Sequence, residues 1–332
     1  MNKNLLTNSA QKNSIKLVLR RLRYLLEAAG FFVLIGGFRL FTIDRASAIG
    51  GWIGRKLIAP TRFSNLAREN LRAAFPKKSK AELEIIILGM WDNLGRVMAE
   101  YAHLDKIHWK DSEARITVTG LENAPPEEDR KNGVLLISAH FSNWEVMPVV
   151  GREFGLSGAT IVRPTNNPYV NAWLEKLRIR NGLQELVSKG GGGLQRIYGI
   201  LREGNCVCML VDQRASEGIS VPFFGRDALT TPAPATLALR LNAVIVPISN
   251  ERVSGSHFHV RVHPIIERPN TGDHTRDLVE LTAKINAFVE ERVRKHPEQW
   301  LWIHRRWVSA NAPLRKRAQA LEGTFKATSK RF

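Results

Sequence analysis

Short apolar runs alternate with amphipathic stretches along most of this chain. The short runs predict strands at residues 115–119, 134–138, 160–162, 206–211, 243–248 and 257–263. Apolar positions spaced by three or four residues predict helices at residues 62–105 (broken at Pro76), 168–181, 194–201, 233–241 and 275–295. Strands that alternate with helices predict an α/β fold, with a mostly parallel central sheet and helices on both faces.

The first 45 residues carry a different pattern. Six basic residues and no acid precede Glu27, and apolar residues from Ile15 to Ala29 share one helical face. Such a basic amphipathic helix suits the surface of an anionic membrane and predicts a cytoplasmic N-terminal tail. The uncharged run at residues 28–38 is shorter than the ~20 residues that cross a bilayer. A single-pass anchor and an interfacial or re-entrant anchor both remain open.

These patterns divide the chain into three parts. Residues 1–45 form the predicted membrane anchor, and residues 46–312 form one α/β domain. Residues 313–332 are basic and poor in hydrophobic side chains, which predicts a poorly ordered tail.

Composition narrows the range of partners. The 332 residues include 49 Lys and Arg against 31 Asp and Glu, which gives a net charge of +18. This excess predicts an anionic partner, and no nucleic-acid recognition motif accompanies it. Two cysteines exclude a disulfide-built fold, and we expect Cys206 and Cys208 to be buried, unreactive and on opposite faces of a strand. Alternating histidines at residues 257–263 predict a polar, solvent-facing strand rather than a metal site.

One segment carries candidate chemistry. His140 follows the buried strand at residues 134–138, and Glu145 lies five residues further on. Ligand sites of open α/β sheets lie at the carboxyl ends of strands, and a histidine held by a carboxylate is suited to general-base catalysis. The same segment also fits a capping box, in which Glu145 satisfies a backbone N–H near Ser142. Residue spacing leaves both interpretations open.

Familiar catalytic templates are missing from the sequence. It contains no GxSxG, HExxH or GxxxxGK[ST] motif, which counts against a serine hydrolase, a zincin and a P-loop nucleotidase. A histidine base without an evident nucleophile suits direct attack by a substrate hydroxyl.

Several segments resemble one enzyme family. Residues 140–145 (HFSNWE) resemble the HX4D/E motif of glycerolipid-type acyltransferases, and residues 70–76 (NLRAAFP) resemble the "NLxxAFP" segment of the late lipid A acyltransferases. Further blocks follow in the family's order, at Arg163-Pro164, Asn167-Pro168, residues 211–213, 221–225 and 296–302, and Arg305-Arg306.

The resemblance implies an inner-membrane enzyme with its active site on the cytoplasmic side. Such an enzyme transfers a fatty acyl chain from acyl carrier protein to a hydroxyl of a lipid A precursor, without a cofactor or a metal. A net charge of +18 suits an acidic carrier and a phosphorylated lipid. Another lipid acceptor, a CoA thioester donor and an inactive lipid-binding homologue remain alternatives.

The resemblance also suggests roles for single residues. It makes His140 the base and Glu145 the group that orients it. Arg163 would bind phosphate or steady the oxyanion. Asp212 follows the predicted strand at residues 206–211, where ligand sites gather, and we expect it to position His140, Arg163 or the acceptor. A surface salt bridge for Arg163 and a helix or turn cap for Asp212 are the alternatives. Asn143 and Arg305 are further candidates for substrate binding. Trp300, Trp302 and Trp307 lie among basic residues, a mixture that suits a membrane interface.

Overall fold

The computed structural model of the protein describes residues 3–108, 114–149, 158–188 and 192–307, with side chains from residue 16 onward. Its longer helices are α1 (Lys3–Arg39), α2 (Ile43–Ile53), α3 (Asn65–Ala74), α4 (Lys80–Glu100), α5 (Pro168–Arg180), α6 (Gly193–Arg202), α7 (Ala233–Leu241) and α8 (His274–Lys295). Its strands are β1 (Ile116–Thr119), β2 (Val134–Ser138), β3 (Gly158–Val162), β4 (Glu185–Ser188), β5 (Cys206–Leu210), β6 (Ile219–Phe223), β7 (Arg226–Thr230), β8 (Val244–Ser254) and β9 (His257–Val262).

A seven-stranded sheet forms the centre of the protein. Its strand order is β1-β9-β8-β2-β5-β3-β4, and β6 and β7 form a separate antiparallel hairpin. Every neighbouring pair in the large sheet is parallel except β8 and β9. The expectation of a mostly parallel α/β sheet is therefore confirmed.

Capping residues that are visible in the sequence lie at the beginnings of helices α4, α5 and α8. Ser79 and Glu82 form a reciprocal capping box at the start of α4. The Asn167 side chain caps α5, with proline at its first position, and Asp273 caps α8. The sequence pattern missed α2, β4 and the β6–β7 hairpin.

Helices cover both faces of the sheet. On one face, the odd-numbered side chains of β2, such as Leu135 and Ile137, join a large core with α4, α7 and α8. On the other face, Phe258 and Val260 pack with Val97 of α4 and Leu174 of α5. Cys206 and Cys208 lie two residues apart on β5 and therefore share a face. Our expectation of opposite faces was wrong.

Helix α1 leaves much of its apolar surface uncovered. Its exposed large apolar side chains include Leu17, Val18, Leu19, Leu22, Leu25, Leu26, Phe32, Val33 and Leu34. Phe31 packs edge-on against Trp173 of α5, and Asn167 donates to the Tyr24 carbonyl at 2.7 Å. No helix in the described ranges combines the length and the apolar character needed to cross a membrane. The predicted boundary after residue 45 falls inside α2, and the predicted tail at residues 313–332 lies outside the described residues.

Candidate active site

His140 and Asp212 meet at the carboxyl ends of two neighbouring strands. Parallel strands β2 and β5 are in register, with Ser138 opposite Leu210, and each functional residue lies two positions beyond its strand. The Asp212 carboxylate therefore reaches the neighbouring loop. Its Oδ1 lies 2.9 Å from Nδ1 of His140, and its Oδ2 accepts from the His140 backbone N–H at 3.0 Å.

The electrostatics of this pair favour a basic imidazole. Burial alone would lower the pKa of His140, but the charge and the hydrogen bond of Asp212 outweigh burial and raise it above 6.5. Burial likewise opposes the charge of Asp212, yet His140 holds the pKa of that carboxyl well below its usual range. Because a carboxylate only accepts hydrogen bonds, Nδ1 of His140 carries the donated proton and Nε2 is left unprotonated. The side-chain nitrogen of Gln213, which also lines the cleft described next, lies 3.5 Å from this Nε2.

A cleft opens in front of His140. Its volume is about 630 Å³, and its lining includes His140, Arg163, Arg178, Gln213 and His304. The structure thus places the predicted residue Arg163 at the cleft, with an exposed side chain. Three cationic or imidazole groups beside a candidate base make this cleft suited to an anionic or carbonyl-bearing ligand.

Glu145 lies at the same cleft but bonds to other residues. Its carboxylate accepts from Nε of Arg178 at 3.0 and 3.1 Å and from Nη2 of Arg178 at 2.6 Å. The buried Tyr101 hydroxyl donates to the same carboxylate at 2.8 Å. Burial, and next the charge of Glu145, raise the pKa of Tyr101 well above 10. The partner that orients His140 is therefore Asp212, while Glu145 ties its loop to α5 and the end of α4.

The structure does not contain the capping box between Ser142 and Glu145 that the sequence allowed. Asn143, not Ser142, caps the short turn, because its Oδ1 accepts from the Glu145 backbone N–H at 3.1 Å. Its amide nitrogen donates to Glu100 at 2.9 Å, and its side chain is fully buried. Asn143 is thus engaged within the protein on both sides, and it does not line the cleft as we expected of a substrate-binding residue.

A buried polar network holds the loop that carries His140. Ser142 has a φ of 47°, a left-handed conformation that non-glycine residues rarely adopt. Its backbone N–H donates to the Gln299 carbonyl at 2.8 Å, and its own carbonyl accepts from Asn93 at 3.0 Å. These bonds fix a strained turn, and such turns are commonly found at functional sites. No pattern of residues along the chain predicts this network.

The segment that follows α8 closes the site from the other side. Trp300 forms an isolated antiparallel bridge with Phe141, and its indole N–H donates to Asp212 Oδ2 at 2.8 Å. This bond brings His304 to the cleft, with its ring centroid 5.4 Å from that of His140. Burial lowers the pKa of His304, and the charge of His140 lowers it further against the opposing effect of Asp212.

Predictions for this segment need correction. Trp300, Trp302 and Trp307 are all buried and belong to the main core, so they do not form the membrane interface that their basic neighbours indicated. Arg305 is exposed, whereas the adjacent Arg306 is fully buried and bonded to Leu229, Thr230 and Asn286. The basic neighbours misled the interpretation of the tryptophans, because adjacent side chains such as Arg305 and Arg306 differ completely in burial. Substrate binding by Arg305 stays a prediction.

Two other regions singled out in the sequence have simpler outcomes. In the segment 221–225, one of those that carry the family resemblance, Val221 and Phe223 are buried in the main core. The alternating strand at residues 257–263 has its histidines at the surface or half-buried, with Phe258, Val260 and Val262 inside. Among the described residues, no group of three or more His, Cys, Asp or Glu side chains is placed to hold a metal ion.

Comparisons with known proteins agree with one another. The family model of bacterial lipid A biosynthesis acyltransferases matches residues 13–309. The lipid A biosynthesis palmitoleoyltransferase of Escherichia coli K12 is 28% identical over 253 residues, which are 74% of this chain and 79% of that protein. The E. coli lauroyltransferase is 27% identical over 74% of this chain and 79% of its own length. The E. coli myristoyltransferase is 26% identical over 70% of this chain and 72% of its own.

A solved structure was also matched. It is a 1-acyl-sn-glycerophosphate acyltransferase from Thermotoga maritima, 15% identical, with a TM-score of 0.34. The match covers 75% of this chain and 96% of that one.

Proposed function

Since this chain belongs to the bacterial lipid A biosynthesis acyltransferase family, we propose that it transfers a fatty acyl chain from acyl carrier protein to a hydroxyl of a lipid A precursor. The observation that carries the proposal is the pairing of His140 with Asp212 beside the cleft, which leaves Nε2 of His140 unprotonated, with only a long contact of 3.5 Å to the Gln213 amide among the described residues. The related E. coli proteins are named as palmitoleoyl, lauroyl and myristoyl transferases for lipid A biosynthesis.

The reaction divides into two proton transfers at one nitrogen. Nε2 of His140 takes the proton of the acceptor hydroxyl while the hydroxyl oxygen forms a bond with the thioester carbonyl carbon. Asp212 stabilises the imidazolium that results. When the carbon–sulfur bond of the tetrahedral intermediate breaks, the same nitrogen returns the proton to the leaving thiolate. The products are an ester and a free carrier thiol, and all atoms balance.

Cationic groups around the cleft are suited to the two substrates. Arg163 and Arg178 line the cleft with His140, and either can contact a phosphate or the developing oxyanion. Arg305 is exposed and available to an anionic ligand. The net charge of +18 favours encounter with an acidic carrier protein and a phosphorylated lipid.

The test is acyl transfer in detergent, read by mass spectrometry. A lipid A precursor, a lysophospholipid and glycerol phosphate are offered as acceptors, each with acyl carrier protein or CoA thioesters. We expect one added acyl group on the lipid A precursor with the carrier protein donor, and a loss of 10²–10⁴-fold or more in His140→Ala.

The matched control is His259→Ala. His259 contacts Thr119 on the sheet, away from the cleft, and its substitution should leave the rate unchanged. Wild-type rates from folded His140→Ala protein would contradict the role of His140. Acylation of another acceptor, or a preference for CoA, would replace the proposed substrates.

We further propose that α1 associates with the cytoplasmic surface of the inner membrane. The support is its uncovered apolar side chains, such as Leu22, Leu25 and Leu26, next to exposed basic residues. Substitution of these three leucines by glutamine keeps helix propensity and removes apolar surface. It should reduce sedimentation with vesicles of phosphatidylglycerol and phosphatidylethanolamine. Glutamine at Ile85 and Leu88, which are exposed on α4, is the control; equal losses in both variants would contradict the proposal.

A further inference from the structure

A narrow apolar recess lies under the sheet, on the face opposite the main core. Alternate side chains of four strands form its floor: Val134 and Leu136 of β2, Cys206 and Cys208 of β5, Val246 and Ile248 of β8, and Val260 and Val262 of β9. The polar side chains of its lining, besides the cysteines, are Ser138 and Arg130, and Nε of Arg130 donates to the Pro125 carbonyl at 2.7 Å. The described lining therefore offers a ligand mainly hydrocarbon contact.

The recess adjoins the catalytic cleft. Met147, Pro148, Leu183 and Cys208 line both spaces. An acyl chain bound near His140 would reach the recess past these shared side chains.

The size of the recess fits part of an aliphatic chain. Its volume is about 120 Å³. A dry apolar cavity of ~150 Å³ accepts benzene, so this recess holds a hydrocarbon segment of comparable size. Only the distal part of a fatty acyl chain fits there, with the carboxyl end in the larger cleft.

The two cysteines mark two depths along the recess. Cys208 lies at the junction with the cleft, whereas Cys206 lines the recess alone. Strand β5 runs toward Asp212, and Cys206 lies two residues earlier, or ~7 Å further from the catalytic pair. Cys206 packs there with Val134, Val246 and Val262 in a small cluster of its own.

The thiols themselves have no chemical role in this arrangement. Burial raises the pKa of both Cys206 and Cys208 to about 11. Both are therefore protonated and weakly nucleophilic at neutral pH. What Cys206 contributes to the recess is the volume of its side chain.

Building on the acyl transfer proposed above, we infer that this recess receives the distal end of the donor acyl chain and that the side chain at position 206 limits its length. The length preference then follows from how many methylene groups are buried before the chain meets the small cluster around Cys206. Each buried methylene contributes about fourfold to binding, so a two-carbon step is worth about fifteenfold.

The experiment is a volume series at one position. Wild type, Cys206→Ala and Cys206→Leu each act on the same mixture of acyl carrier protein donors that differ in two-carbon steps, and product masses give the chain-length profile. Cys206→Leu should disfavour the longest chain used by wild type about fifteenfold against the next shorter one. Cys206→Ala should shift the profile in the opposite direction.

Controls separate this inference from the activity on which it rests. Val207→Leu adds volume on the opposite face of the same strand, in the main core, and should change stability without moving the profile. Failure of wild type to transfer any chain would overturn the acyl transfer itself. Transfer with one unchanged profile in Cys206→Ala and Cys206→Leu, both shown to be folded by thermal melting, would overturn the recess as the length determinant.

Discussion

Two carboxylates lie close to the same cleft and are used in opposite ways: Glu145 lines it, and Asp212 is buried behind His140. Asp212 holds His140, a group that can gain and lose a proton near neutral pH and that itself lines the cleft. Glu145 holds Arg178, which stays charged throughout, with bidentate geometry and a buried Tyr101 as a second donor. A partner that gains and loses a proton makes a site for proton transfer. The permanent Glu145–Arg178 ion pair, here called the clamp, holds two segments of the chain together instead.

The two defining residues of one short motif have separate partners. His140 and Glu145 lie five residues apart in sequence, yet each finds its partner on another element. Asp212 comes from the neighbouring strand β5, and Arg178 comes from α5. The loop between them is fixed by its buried network rather than by a contact between the two motif residues.

The largest effect should come from the titrating pair. In Asp212→Asn, an amide replaces the charge that stabilises the imidazolium, and the wrong tautomer of His140 is favoured. We expect the transfer rate to fall about 10²–10⁴-fold. Without the carboxylate, burial dominates and the pKa of His140 falls.

The pH profile tests the cause of that loss. As a base, His140 works when it is unprotonated, so activity rises with pH through its pKa. This rising, acidic side of the pH–rate profile (the acid limb) should move to lower pH in Asp212→Asn. Asp105→Asn breaks an exposed ion pair with Arg39 and is the control, with little change expected. An unchanged acid limb in Asp212→Asn would show that another group is the base.

Removing the charge of Glu145 from the clamp should reduce stability more clearly than catalysis. Glu145→Gln leaves the Arg178 guanidinium, whose side chain is 20% exposed, without its counter-charge. We expect a loss of about 3 kcal/mol of unfolding free energy in denaturant titrations. Activity should fall less than in Asp212→Asn, and the acid limb should move less, because Glu145 acts on His140 only through its more distant charge.

A surface pair with similar geometry controls for the clamp. Arg68 and Glu84 form a bidentate pair with larger exposed fractions, 25% and 34%. Glu84→Gln should cost at most about 1 kcal/mol. Equal losses in the two variants would mean that Glu145 is no more important to the fold than a surface residue, and the comparison of the two carboxylates would fail.

Periodicity predicted much of the fold because local patterns are its cause. Strands β2, β5 and β9 and helices α5, α7 and α8 follow apolar spacing that is visible in the sequence. The missed elements lack that spacing. Helix α2 is rich in small residues, among them Gly50, which meets the backbone of Gly95 of α4 at close range, and no periodicity reports such a contact.

The candidate site was predictable in its residues but not in its pairings. The position of His140 and Asp212 after two buried strands indicated a shared edge of the sheet. Which carboxylate binds His140 depends on strand register, and Arg178 gave no signal because it looks like any basic residue near a helix end. Asn143 was misjudged for a related reason, since its buried partners lie on distant segments.

The smallest effect comes from a single donor to one carboxylate, and it sharpens the comparison most. Trp300→Phe removes the indole N–H that donates to Asp212, while His140 remains bonded to the same carboxylate. A hydrogen bond to a charged group is worth about 1.5–3 kcal/mol, and only the part of it that changes during the reaction affects the rate, so we expect roughly a tenfold loss. A carboxylate with fewer donors is more basic and raises the pKa of His140, so the acid limb should move to higher pH, opposite to Asp212→Asn.

Trp302→Phe is the matched control, because Trp302 is equally buried but donates to the Pro297 carbonyl. If both phenylalanine variants shift the profile alike, the loss reflects repacking of the core, and the indole of Trp300 has no separate effect on the catalytic pair.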